Sequence, residues 1–310
     1  MTRAAYCSPM GADTFEKDGT CFDRNALLRL VKTWNASRQD VKTKIRGYAK
    51  MSKRELWRSL KYHMSAVCPP NEKGVEACWA DNLEGKTPSK EVAKSLRPLK
   101  PDEWKSNEYT WLTNYDIEAV MNQYDIDTNP KYKYKFLGVF PIDFQARTTF
   151  GQCLFAEFCN LNIAALYKKG VRYIGMITNL DKHNQSGSHW TSLFACIDPS
   201  LPSFGAYYYD SVASVPPQEI VQFMETLKRD VQAIPQGANK PFTIKYNKMR
   251  HQRGNTECGI FSIDYQIRWI EGLLRDRATK FETVAHMPNI NDAYIHEFRN
   301  IYFRQFRKKT

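Results

Sequence analysis

The chain has 310 residues, with 45 basic and 33 acidic side chains and a formal net charge of +12. Apolar residues make up 42% and aromatic residues 13%, enough for a substantial core, and 25% charged residues with a negative mean hydropathy fit a soluble globular protein. No stretch reaches the roughly 18 consecutive apolar residues that would span a bilayer, and the opening MTRAAYCSPMGADTFEKDG lacks the apolar run of a secretory signal. An intracellular protein without a membrane partner is therefore expected.

Taken in chain order, residues 22–67 carry helical spacing, with Leu27, Leu30, Val31 and Trp34 and then Leu56, Leu60 and Met64 at intervals of three or four. Residues 69–103 hold Pro69, Pro70, Pro88, Pro98 and Pro101 among many charges and read as a loop-rich connection. The boundary is expected there, giving a helical accessory domain over residues 1–103 and a second domain over 104–310. In the second domain, YDIEAVMNQY at 115–124 predicts a helix, and FLGVF at 136–140 and YIGMITN at 173–179 predict strands. HWTSLFACI from His189, AYYY at 206–209 and FTIKYN from Phe242 add three more. A helix opened by Pro216 and Pro217 places Ile220, Phe223, Met224, Leu227, Val231 and Ile234 on one face. Another begins at Cys258, its buried face marked by Ile260, Ile263, Ile267, Ile270 and Leu274. The order predicts an α+β fold.

Eight cysteines without a CxxC pair predict reduced, buried thiols. His63, Cys68 and Cys78 lie near one another, but nine residues separate the two cysteines and a fourth ligand is missing, so no metal is expected. Basic residues concentrate at 42–61, in KYKYK at 131–135 and in RQFRKK at the end, where they solvate the surface or contact a polyanion such as DNA as a secondary property.

Cys258 stands where a strand gives way, through MRHQRGNTE, to the long apolar helix. Unpaired backbone N–H groups and the positive end of the helix dipole favour a thiolate there. On position alone the same residue reads as a small cap on a core helix; its neighbours change that. Gln252, six residues upstream in a polar loop, can bring its amide to the spot served by the backbone N–H of Cys258, and two such donors make an oxyanion hole. Gly259 leaves room for a substrate carbonyl. His189, at the edge of a strand after KHNQSGS, can act as base; His183 and His251 are weaker candidates. Asp210 and Asp198 each close a strand, and chemistry alone does not separate them as partners of that base.

HW at 189–190, YYYDS at 207–211 and QRGNTECGIFS at 252–262 resemble, in that order, the His, Asp and Gln-x5-Cys-Gly motifs of the ubiquitin-like-protein and adenovirus-type cysteine peptidases. The resemblance selects Asp210 over Asp198 and extends upstream to WLTNYDIE at 111–118. It implies a papain-like core and thiol proteolysis with Cys258 as nucleophile, His189 as base, Asp210 as its orienter and Gln252 in the oxyanion hole. It also implies that Trp111 and Trp190 roof a narrow tunnel for a Gly-Gly stretch, with Gly259 beneath, and that no cofactor is needed. Asn114 and the loop Gly-Asn-Thr-Glu depart from the usual Asp and Asn-Gly-x-Asp. The basic charge and the added N-terminal region are similar to peptidases of large DNA viruses of the African swine fever virus type, which implies cleavage of structural precursors during particle maturation, in host cytoplasm and virion. An isopeptidase for a ubiquitin-like modifier, and a basic virion or nucleic-acid-binding protein with an inactive peptidase fold, are the alternatives.

Overall fold

The computed structural model of the chain describes residues 6–69 and 74–306. They group into two units, residues 1–102 with 300–310, and residues 103–299. Pro70 and the last basic residues, 307–309, lie outside the described residues.

The first unit is helical: α1 (Pro9–Asp18), α2 (Arg24–Ala36), α3 (Lys53–His63), α4 (Val75–Glu84) and the short α5 (Lys90–Ala93). The Asp23 carboxylate caps α2 by accepting from the Ala26 N–H at 2.8 Å, and Ser52 and Glu55 close a reciprocal capping box on α3. The periodic residues Leu27, Leu30, Val31 and Trp34 meet Leu56, Leu60 and Met64 in one buried cluster. The segment expected to be a loop contains α4. Its prolines flank the helix without entering it, and VEACWAD buries all seven side chains.

The cysteine expectation is corrected. Cys7 pairs with Cys21, Cys68 with Cys78 and Cys153 with Cys159, leaving Cys196 and Cys258 as free thiols. Cα separations of 5.5, 5.9 and 6.3 Å bring each pair within bridging range, a relation made by the fold and invisible in the spacing. Residues 300–306, expected from sequence in the second domain, group with the first. Arg304 donates twice to the buried Asp81, at 2.8 Å each, and exchanges backbone hydrogen bonds with Pro98 and Lys100.

The second unit is built on one mixed sheet of β1 (Tyr134–Pro141), β2 (Tyr173–Asn179), β3 (Trp190–Cys196), β4 (Gly205–Tyr209) and β5 (Thr243–Tyr246), lying in that order. The outer pairs run parallel and the two inner pairs antiparallel. Around it stand α6 (Asn114–Met121), α7 (Ala156–Cys159), α8 (Ile163–Lys168), α9 (Gln218–Gln232), α10 (Cys258–Arg275), α11 (Phe281–Ala285) and α12 (Asp292–His296). α9 lays Ile220, Phe223, Met224, Leu227 and Val231 into a cluster with Ile174, Met176, Leu193, Ala206 and Tyr208 of the sheet. The opposite face is aromatic and receives α10: Phe194 stacks on Trp269 at 4.8 Å, and Tyr209 on Tyr265 at 4.5 Å. Leu274, expected on that buried face, is exposed, and Leu273 is buried in its place.

One polar side chain crosses this apolar layer. Gln266 donates to the carbonyls of Met176 and Leu193 and to Ser192 Oγ, and accepts from Tyr134 Oη at 3.0 Å. Every partner is satisfied, so the buried amide costs little. Gly175 makes the space, since a Cβ there would fall 2.1 Å from Tyr134 Oη and 2.2 Å from Gln266 Oε1.

Candidate active site

His189 stands directly before β3, its backbone carbonyl accepting from the Leu180 N–H at 3.0 Å. The preceding loop turns at Gly187, whose φ of 87° lies in the left-handed region that favours glycine. The His189 ring places Nε2 2.7 Å from Asp210 Oδ1, and Cys258 lies beside the same ring. Burial alone pushes the imidazole down; the hydrogen bond to Asp210 and its charge, with Cys258 alongside, outweigh it and hold the pKa up to about 9.

Asp210 follows β4 and is fully buried. Asn247, after β5, fixes its backbone from both sides, accepting from the Asp210 N–H at 2.8 Å and donating to its carbonyl at 2.7 Å, while the Val212 N–H reaches Oδ1 at 2.9 Å. Asn247 was not singled out in the sequence; only its place at the end of the strand beside Asp210 hints at it. Asp198 accepts from the Ser200 Oγ and N–H and faces Arg172, so geometry brings Asp210 and not Asp198 to His189.

Cys258 is the first residue of α10 and is buried to 1% exposure. Gln252 is buried nearby in sequence, its Oε1 accepting from Ser211 Oγ at 2.6 Å and its Nε2 donating to the Gly254 carbonyl at 3.0 Å. A primary amide has two N–H groups, so one remains beyond the bond to Gly254. The loop is held further by Ser211, whose carbonyl accepts from the N–H of His251 and of Gln252, and by Asp292, whose carboxylate accepts from the N–H of Arg253 and of Gly254. His251 is not positioned as a base. It is buried against Tyr209 Oη at 2.8 Å, and burial together with Arg268 and His286 lowers its pKa to about 4. His183 is exposed and paired with Asp143 at 2.6 Å.

Trp111 is exposed and Trp190 half-buried, the latter donating from Nε1 to the Leu112 carbonyl at 3.1 Å. Gly259 lies beneath: a Cβ there would meet Leu112 at 3.1 and 3.2 Å and Trp190 at 3.3 Å. Both tryptophans line a cavity of about 550 Å³ that also includes Asn114, Phe140, Phe155 and His183. Among the described residues no group of three or more His, Cys, Asp or Glu side chains could hold a metal ion. A thiol beside an imidazole that is hydrogen-bonded to a carboxylate can pass one proton from sulfur to nitrogen while the carboxylate fixes the ring.

Comparison with known proteins agrees. Residues 164–306 match the Ulp1 protease family, C-terminal catalytic domain. A protein of Acanthamoeba polyphaga mimivirus named a "Putative thiol protease" is 27% identical over 311 residues, covering 96% of this chain and 93% of its own. A cysteine protease of African swine fever virus is 26% identical over 208 residues, 62% of this chain and 67% of that one. The crystal structure of the African swine fever virus protease superposes with a TM-score of 0.57 at 19% identity, covering 87% of this chain and 94% of that one, a likeness of the papain-like fold. The chain is therefore a cysteine peptidase whose residues 164–306 are similar to the catalytic domain of the Ulp1 protease family.

Proposed function

We propose that the chain is a thiol endopeptidase that cuts after small residues, at Gly-Gly-type sites, in structural precursors of a virus. The observation that carries the reading is the His189 ring held by Asp210 at 2.7 Å beside Cys258 at the start of α10. Cys258 gives its proton to His189 and its sulfur adds to the scissile carbonyl carbon. The free N–H of Gln252 and the backbone N–H of Cys258 receive the oxyanion. The imidazolium then protonates the leaving amine as the C–N bond breaks, and water, deprotonated by His189, hydrolyses the thioester. The chemistry of this row needs no organic cofactor.

Preference for glycine rests on Gly259, Leu112 and Trp190, whose contacts leave little room above the nucleophile, and on Trp111 beside them. The relatives from two large DNA viruses favour precursor processing. Residues 1–103 serve as an accessory arm, and its basic stretch at 42–61 gives a polyanion such as DNA a surface to bind. Fluorogenic peptides varying the two residues before the cut test the reading. Hydrolysis by the wild type, with glycine preferred beside the cut and activity lost in Cys258→Ala, is expected; unchanged hydrolysis in Cys258→Ala overturns it. Cleavage of a folded ubiquitin-like fusion with silence on peptides selects the isopeptidase.

A further inference from the structure

The residue before the nucleophile, Glu257, occupies the N-cap of α10 yet makes no side-chain capping bond to it. Its carboxylate, 2% exposed, turns to three partners: Arg299 Nε at 2.9 Å, His296 Nδ1 at 2.9 Å and Thr256 Oγ1 at 3.3 Å. Arg299 is equally buried and spends its other nitrogens on two backbone carbonyls, Thr110 from Nη1 at 2.9 Å and Thr256 from Nη2 at 3.1 Å. Its guanidinium lies over the Trp104 ring, 4.4 Å from the centroid, and His296 stacks on Tyr109 at 4.7 Å. Thr110 adjoins Trp111, and Thr256 and Glu257 adjoin Cys258. One planar cation thus bonds both the backbone that carries the tunnel tryptophan and the turn that aims the nucleophile.

We infer that Arg299 is a positioning residue for the peptidase reaction: its guanidinium fixes the Trp111 segment relative to the Cys258 turn, and so sets where the scissile carbonyl lies over the sulfur. Glu257 is the counter-charge that allows an arginine to be buried there, and with His296 it orients the fork. Lysine cannot replace it, because a single ammonium does not hold three acceptors in one plane. The inference rests on Cys258 being the nucleophile and on the tunnel reading of Trp111.

The test compares wild type, Arg299→Gln, Arg299→Lys and Glu257→Gln in the full chain by peptide hydrolysis, by the rate of Cys258 alkylation with iodoacetamide and by thermal melting. Misplacement of reacting atoms by about 1 Å costs on the order of 10²-fold, so Arg299→Gln and Arg299→Lys should lose roughly 10- to 100-fold in kcat/KM. Alkylation, which needs only the thiol and His189, should stay within about two-fold. Glu257→Gln, which leaves the bonds from Arg299 to Thr110 and Thr256 in place, should lose several-fold at most. Wild-type kcat/KM in Arg299→Lys overturns the inference. So does a parallel fall of hydrolysis and alkylation in Glu257→Gln, which would assign the cluster to charge beside the thiol. Should Arg299→Gln not fold, Arg299→Lys carries the test alone, because it keeps a buried cation against Glu257. Cleavage that persists in Cys258→Ala instead sinks the underlying reading.

Discussion

His189 before β3, Asp210 after β4 and Cys258 at the start of α10 form the proposed reacting row, and their environments decide what each can do. His189 gains its raised pKa from partners that exist only in the folded chain, so its proton is linked to stability. With a folded pKa of about 9 against an ordinary 6.5, the stabilisation is complete below pH 6.5 and is lost as pH rises through 9. At about 1.4 kcal/mol per pKa unit this amounts to roughly 3 kcal/mol. Urea unfolding at pH 6 and pH 9.5 should show the loss, and Asp210→Asn should shrink it. The same proton serves the leaving amine, so kcat/KM should fall on the basic side with a midpoint near pH 9, moving lower in Asp210→Asn. Gly259→Ala tests the channel: its Cβ meets Leu112 and Trp190 at tight but yielding distances. A thermal midpoint lowered by only a few degrees is expected, with KM for Gly-Gly peptides raised several-fold or more. At this scale the sequence was most legible where a short motif marks a position: the fold brings His189 and Asp210 together, 21 residues apart in the chain, as their motifs implied. Asn247, Glu257 and Arg299 were not legible, because each acts through a backbone or a charge brought near by folding.

Among the elements, the strands and the two long helices followed from alternation and from three-and-four spacing, since each has one continuous apolar face. α4 escaped because flanking prolines dominate its neighbourhood, and Leu274 was placed wrongly because the residue three after Ile270, Leu273, takes the buried position in the last turn of α10. The polar member of α10 matters most to its register. Gln266→Leu removes four hydrogen bonds and strands Tyr134 Oη and Ser192 Oγ in an apolar layer. A cost of about 2–4 kcal/mol is expected from unsatisfied buried groups, measurable as a lowered midpoint of chemical unfolding. Because Gln266 can meet β2 and β3 in only one orientation, it also fixes the rotation of the helix that carries Cys258. Inserting one residue between positions 258 and 266 would swing the thiol by about 100° around the helix axis, and alkylation by iodoacetamide should then lose its His189 dependence.

For the molecule as a whole, the proline-rich segment at 69–103 suggested a boundary near residue 103 but not that the end of the chain returns to the helical unit. The helical unit is discontinuous, closed by Arg304 on Asp81. Arg304→Met breaks this buried ion pair and its two hydrogen bonds, so it should cost about 3–5 kcal/mol and produce an earlier melting transition. The pairing of six cysteines was equally hidden, since connectivity is a property of the folded chain. The discontinuity has a consequence for biosynthesis. Residues 1–102 leave the ribosome first, yet Asp81 waits for an arginine translated more than two hundred residues later. The helical unit, begun before the sheet is translated, is thus completed only after it.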